Sequence, residues 1–457
     1  MINKLKKRIY LLLEVQQREL DARIVFAIKA ANLGYSIVFC KKAYLFSKSK
    51  YLINGIVILK SIGVKNYEHI QTLKKNGHIV CSFDEEGLLF HDSEKYCKRR
   101  LNEKCLSELK YFFAWGKNDY DAIKSYYPHF IDKVKIAGNS RIELLKKPLN
   151  KIYEIRAKKI KEKYGSFILI NTKFGYSNYM SQRDNYSIVD GLNKVWNLNE
   201  DEIHFYNYIL KSQIKRRDDI IEILRIFDKK YPNIKFFIRP HQSENPTFWA
   251  KIKNKNVVIV QDGSPALDWM IAAKVSISFN CTTAIEGKFF NVNHINYIPM
   301  DKNDFKLPNE INKNIYNIED LEKEIIKNFN NNFDTTFSKK IDLKNYIENI
   351  NSDYVENIIS ILKDEYDHIR IREKDKYINF FCFNYFRFKR LLLNLYYFKI
   401  QKKNKDDLSI LLKQKNPKTS ISMIKGKSEK FMINLGIKNI KIHELYPDVY
   451  CFEKEIE

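Results

Sequence analysis

The chain of 457 residues reads as an α/β protein made of two doubly wound domains facing a cleft, with a helical C-terminal extension. Three observations lead there. Short apolar runs alternate with helical stretches from residue 8 to residue 279, the pattern of a sheet covered on both faces. The length exceeds what one ordinary core holds. Polar clusters follow several apolar runs, where open α/β sheets bind their ligands.

Arg8 to Leu13 is a buried strand, and Glu19 to Leu33 is a helix with Leu20, Ile24, Ala27, Ile28 and Ala31 at helical spacing. Gly34 stops that helix, and Ser36 to Cys40 is the next strand. Strands follow at Gly55 to Leu59, His78 to Phe83, Tyr111 to Trp115 and Lys133 to Gly138, with Ser93 to Leu109 helical among them. These make a first domain over 1–149. A charged helical linker, Asn150 to Tyr164, carries few apolar residues.

The second series begins with FILINTKFG and continues through a helix near Asp218 to Tyr231, strands Ile234 to Ile238 and Val257 to Val260, a helix over Pro265 to Ala273 and a strand over Val275 to Phe279. It gives a second domain over 150–342. From about Leu343 the pattern turns helical, so 343–457 is expected as a basic, aromatic extension. Within it Lys376 to Lys405 mixes Phe, Tyr and Leu with Arg387, Lys389, Arg390, Lys399, Lys402 and Lys403. That composition suits an amphipathic element on an anionic membrane surface, or equally a helix packed on the second domain with solvated lysines.

The net charge of +25 implies attraction to something anionic. No RNP-type motif, zinc-finger spacing or basic zipper supports nucleic acid as that partner. Seven scattered cysteines without a CxxC pair indicate reduced thiols in a cytoplasmic setting. The N-terminal apolar run, Ile9 to Leu13, is too short for a signal-peptide core, and no run of roughly 18 apolar residues could span a bilayer.

Four stretches stand at strand ends: Asp84-Glu85-Glu86-Gly87, Asn171 to Gly175, Arg239 to Asn245 and Asn280 to Gly287. In the last, Asn280, Thr282 and Thr283 open a helix whose amide groups suit a nucleotide phosphate, with Glu286 one turn on for ribose hydroxyls; a plain capping arrangement is the alternative. In Arg239-Pro240-His241-Gln242-Ser243-Glu244-Asn245, Arg239 can fork onto a phosphate and His241 can protonate a departing oxygen, unless the pair only stabilises a turn. Three adjacent carboxylates should repel one another and raise at least one pKa, which suits a general base or a nucleophile. The alternative is an acidic, solvated turn. Arg18 and Glu19, at the first strand-to-helix turn, could bind a substrate carboxylate or merely cap the helix.

Asp119-Tyr120-Asp121 matches a DxD pattern but falls in a helix. No His/Cys/carboxylate cluster shows ligand spacing, and HExxH, P-loop and GxGxxG motifs are absent, so neither metal nor cofactor is expected.

LLLEVQQRELDARIVFAIKAANLGY, FDEEG, FFAWGKNDYDAI, IAGNSRIELL, FILINTKFG, IRPHQSEN and SISFNCTTAIEG follow one another over roughly residues 11–287. In these the chain resembles the bacterial surface carbohydrate biosynthesis proteins, two-Rossmann-domain (GT-B-like) glycosyltransferases related to capsule and lipopolysaccharide Kdo transferases and, more distantly, to bacterial sialyltransferases. The resemblance implies a CMP-activated acidic 2-keto sugar as donor, bound on the second domain, and a glycan or lipid-linked glycan acceptor on the first. It places the carboxylate catalyst at Glu85 and Glu86, followed by Gly87, with Asp84 adjacent. The family's His-Pro pair is reversed here as Pro240-His241. Such transfer is metal-independent, with a carboxylate acting as base if configuration inverts or as nucleophile if it is retained, and it takes place on the inner face of the cytoplasmic membrane. Two other readings are a CDP-polyol phosphotransferase of the teichoic-acid type, which needs a second histidine for which His294 is the later candidate, and a non-catalytic capsule-assembly scaffold.

Overall fold

A computed structural model describes residues 7–179, 188–252, 254–300, 304–330, 343–369, 419–446 and 448–455. They divide into two units: 7–149 with 343–369 and 419–455, and 150–330. Each is a Rossmann-like α/β layer structure.

In the first unit, β1 (Arg8–Leu12), β2 (Ser36–Cys40), β3 (Ile56–Leu59), β4 (Ile79–Phe83), β5 (Tyr111–Ala114) and β6 (Val134–Ile136) form a parallel sheet in the order β2-β1-β3-β4-β5-β6. The strands read as continuous apolar runs because helices bury both faces. The order reverses between β1 and β3, so ligand groups are expected at their carboxyl ends. The helical stretch after β4 is two helices, Ser93–Arg100 and Glu103–Glu108. Asn102 breaks it by accepting the Cys105 N–H at 3.1 Å, which starts a new helix.

In the second unit, β7 (Ile168–Asn171), β8 (Phe236–Arg239), β9 (Val257–Ile259), β10 (Val275–Ser278), β11 (His294–Tyr297) and β12 (Lys313–Ile315) run parallel in the order β12-β11-β10-β7-β8-β9. Here the order reverses between β7 and β10. The expected linker is the helix Lys151–Tyr164 of this unit, which buries Ile152, Tyr153 and Ala157. The helix expected near Asp218 is the end of a 31-residue helix, Glu200–Lys230. Asn199 and Glu202 start it by each accepting the other's backbone N–H, at 2.9 and 3.1 Å.

The expectation of a separate, wholly helical extension over 343–457 is corrected. Residues 343–369 lie on the first unit, where Asn349 exchanges hydrogen bonds with the Asn139 backbone at 2.9 and 3.0 Å and donates to Glu143 at 2.7 Å. Gly138 has φ 88° and would drive any Cβ into the Asn349 side chain, so this approach requires glycine. Further on, β13 (Ile440–Tyr446) and β14 (Val449–Lys454) form a hairpin that adds to the first sheet, with β14 antiparallel to β2. Asp448, at φ 63°, makes its turn. Alternating Ile440 and Ile442 pack inward, a period of two that a helix could not use. The hairpin also gathers His443, Cys451 and Glu453, a grouping in space that shows no ligand spacing along the sequence. Lys376 to Lys405 lies outside the described residues. Among the described residues no helix is long and apolar enough to cross a membrane.

Candidate functional site

The carboxyl ends of β1, β3 and β4 carry a network of acids and cations. Asp84 and Glu85 are buried, whereas the Glu86 side chain is 55% exposed. The three acids turn to different cations. Arg100 grips Asp84 at 2.5 and 3.1 Å and Glu86 at 2.9 Å. Arg23 holds Glu85 at 3.0 Å while also donating to Ser140 at 3.0 Å and to the Leu12 carbonyl at 3.3 Å. Arg18 reaches the other oxygen of Glu86 at 3.4 Å. Gly87 closes the turn, its N–H donating to the Asp84 carbonyl at 3.1 Å.

The expected mutual repulsion is therefore corrected at Glu86. Burial opposes its charge, but Arg100 and Arg18 more than offset this and hold its carboxyl below the usual range. The displaced acid is Asp119, which burial pushes up to about 7 although it accepts the Trp115 and Gly116 N–H groups at 2.8 and 2.9 Å. Glu19 faces partners within its own unit. Fully buried, it accepts from Lys60 at 2.8 Å and from the Glu14 and Val15 N–H groups at 2.9 and 3.2 Å. Burial opposes its charge too, and Lys60 with Arg23 keeps its pKa low. Arg18 stays partly exposed.

In the second unit, Asn171 ends β7 beside Arg239 of β8. Asn171 is 6% exposed, yet neither its amide oxygen nor its amide nitrogen has a hydrogen-bond partner. The buried Thr283 hydroxyl, beyond β10, also lacks one. β7 and β10 are the pair at which the strand order reverses, so both orphaned groups sit at the ligand position of this sheet. Arg239 donates to the Ser264 carbonyl at 2.7 Å. Burial lowers its pKa, partly countered by Asp262, Asp268 and Glu286 nearby.

His241 is exposed, and its Nδ1 lies 2.8 Å from the Ser243 hydroxyl and accepts the Ser243 N–H at 3.3 Å. In the neutral ring this puts the proton on Nε2. Gly175 leaves room for Ser243, whose hydroxyl would collide with a Cβ there.

Three expected ligand groups are corrected. Glu244 is 1% exposed and spends its oxygens on Thr172 Oγ1 (2.6 Å), the Phe174 N–H (2.8 Å) and Trp249 Nε1 (2.8 Å), tying the loops after β7 and β8 together. Asn245 caps the helix Pro246–Ala250 by accepting the Thr247 N–H at 3.0 Å. Asn280, at φ 53°, anchors an asparagine network with Asn296 and Asn309 at 2.7 Å each. Thr282 is the first residue of the helix Thr282–Lys288, with Glu286 one turn on. His294 lies inside at the start of β11, 2.8 Å from Ser278, and burial lowers its pKa to about 3. That position, at the strand's beginning, does not serve the teichoic-acid reading.

Sequence reasoning missed Arg23, Arg100, Lys60 and Thr172. All but Arg100 have partners distant in the chain; Arg23 and Glu85 are 62 residues apart. The one local signal was Arg23 one turn beyond Glu19.

Fold and sites define an α/β protein with candidate ligand groups at the carboxyl edges of two doubly wound sheets. No family model and no curated protein matches the chain. Solved structures similar to it include a UDP-GlcNAc 2-epimerase from Methanocaldococcus jannaschii in complex with UDP-GlcNAc and UDP, at 15% identity over 78% of this chain and 99% of that one, TM-score 0.48. Another is the UDP-N-acetylglucosamine 2-epimerase from Rickettsia bellii, at 9% identity over 80% and 98%, TM-score 0.48. A third is the wall teichoic acid polymerase TagF, at 8% identity over 80% and 90%, TM-score 0.47.

Proposed function

We propose that the chain is a glycosyltransferase that moves an acidic 2-keto sugar, Kdo or another ulosonic acid, from a CMP-activated donor onto a surface polysaccharide or lipopolysaccharide acceptor. The observation that carries this reading is the pair of orphaned polar groups, Asn171 and Thr283, at the switch point of the second sheet beside Arg239. Buried polar atoms without partners are costly, and a bound ligand with donors and acceptors relieves that cost.

In this reading the second unit holds the nucleotide. Arg239 and the Nε2–H of His241 stabilise the charge that grows on the departing phosphate, and Glu286 accepts from ribose hydroxyls. The first unit supplies the carboxylate. Of the three acids Glu86 is the accessible one, ionised and aimed by Arg100 and Arg18. It removes the acceptor hydroxyl proton if configuration inverts, or attacks the anomeric carbon if it is retained. Asp84 and Glu85 then position the loop. Arg18 offers a cation for the carboxylate of the donor or acceptor. The net charge of +25 supports placement at the anionic inner face of the cytoplasmic membrane.

A donor screen tests this: CMP release from CMP-Kdo, CMP-sialic, CMP-legionaminic and CMP-pseudaminic acids, with CDP-glycerol as the rival donor, each with and without EDTA. Release from a CMP-sugar that survives EDTA is expected. Turnover of CDP-glycerol alone would establish the polyol phosphotransferase, and no turnover with intact glycan in an E86Q strain would establish the scaffold.

A further inference from the structure

The β13–β14 hairpin brings together three residues that the proposed transfer does not use. His443 and Cys451 are directly opposite in the antiparallel register, and Glu453 stands two pairs further along, opposite Lys441. Residues two apart on a strand share a face, so Cys451 and Glu453 join His443 on one side of the hairpin. One ligand atom from each, imidazole nitrogen, sulfur and carboxylate oxygen, lies within 4.8 Å of the others.

Tetrahedral coordination at about 2.0–2.3 Å sets ligand atoms about 3.3–3.8 Å apart. Side-chain adjustment of about an ångström would therefore close the set, within the reach of ordinary rotamer motion. Sulfur, imidazole and carboxylate together favour zinc among the divalent ions, with water as a fourth ligand.

The surroundings resemble an outer shell. Ser36 donates to Glu453 Oε1 at 2.8 Å and lies 3.5 Å from the Cys451 sulfur, and Arg8 approaches the same Oε1 at 3.8 Å. These contacts fix one carboxylate oxygen and orient the group. Cys451 is fully buried, whereas His443 and Glu453 are half-buried, so an ion has a way in from their side.

We propose that this hairpin is a structural metal site for a zinc-class divalent ion, held by His443, Cys451 and Glu453. On binding, the Cys451 S–H bond breaks, the sulfur forms a bond to the ion and the proton passes to solvent; no electron changes hands. The ion would clamp the hairpin whose β14 completes the first sheet.

The test uses the full chain, stripped with a chelator and reloaded with Zn²⁺ or Co²⁺. About one ion per chain is expected to survive gel filtration, with a thiolate-to-cobalt charge-transfer band in the near ultraviolet and a raised Tm. His443→Gln and Cys451→Ser should each weaken binding by at least about tenfold, and Cys281→Ser should leave it unchanged. Because Cys451 is buried and its variant can unfold, His443→Gln decides: an unchanged cobalt band there overturns the proposal. So does wild-type protein that retains no ion.

Discussion

Glu85 and Glu86 are neighbours in sequence with opposite surroundings, and the difference is measurable. Glu86→Gln removes the accessible carboxylate, so CMP release should fall by about 10²–10⁴-fold while the melting temperature stays near that of the wild type. Glu85→Gln strands the buried Arg23 and should cost about 3–5 kcal/mol of stability. Equal loss of activity at unchanged stability in both variants would reject this division of roles. Asp119 gives a pH signature. Its folded pKa, about 7, exceeds the ordinary carboxylate value, so the unfolded chain loses this proton first and stability declines as pH climbs from about 4 to about 7. Asp119→Asn removes that slope, so the variant's Tm relative to the wild type should rise across the same window. Glu19 has the opposite sign. Its depressed pKa contributes stability above the ordinary carboxylate range, lost as pH falls through the folded value.

The segment 343–369 depends on two small details, Gly138 and Asn349. Gly138→Ala should destabilise the protein by about 1–3 kcal/mol through its left-handed backbone alone, and more because the new methyl meets Asn349. Asn349→Ala should loosen the same segment, read out as faster limited proteolysis within 343–369; unchanged cleavage in both would refute the role. The same elements show what local pattern carries. β2 was legible to the residue because Ser36–Cys40 is an apolar run closed by Gly34 and Lys41. β14 was not, although Val449 to Phe452 is just as apolar, because its partner β2 lies about 400 residues earlier and nothing local announces the pairing. At the sites, strand ends pointed to Asn171, Arg239 and Thr283. The burial that makes scaffold of Glu244 and Asn280 came from loops meeting in space, which spacing does not record, whereas Asn245 caps the helix that starts right after it.

With +25 net charge the protein should co-sediment with vesicles that contain anionic lipid and not with neutral ones. Binding should fade as salt rises past about 0.15 M, where the screening length is about 8 Å. Equal binding to neutral vesicles would contradict an electrostatic attachment. The placement of β14 bears on how the chain is made. Ser36 and Glu453, joined in the finished sheet, are 417 residues apart. A ribosome adding about 5–20 residues per second needs roughly 20–80 s to deliver the second after the first. Throughout that interval the outer edge of β2 has no neighbouring strand, an invitation to pairing with other nascent chains. Chaperone demand during translation should therefore be high, and a stop codon placed just before Ile440 should send the product into inclusion bodies.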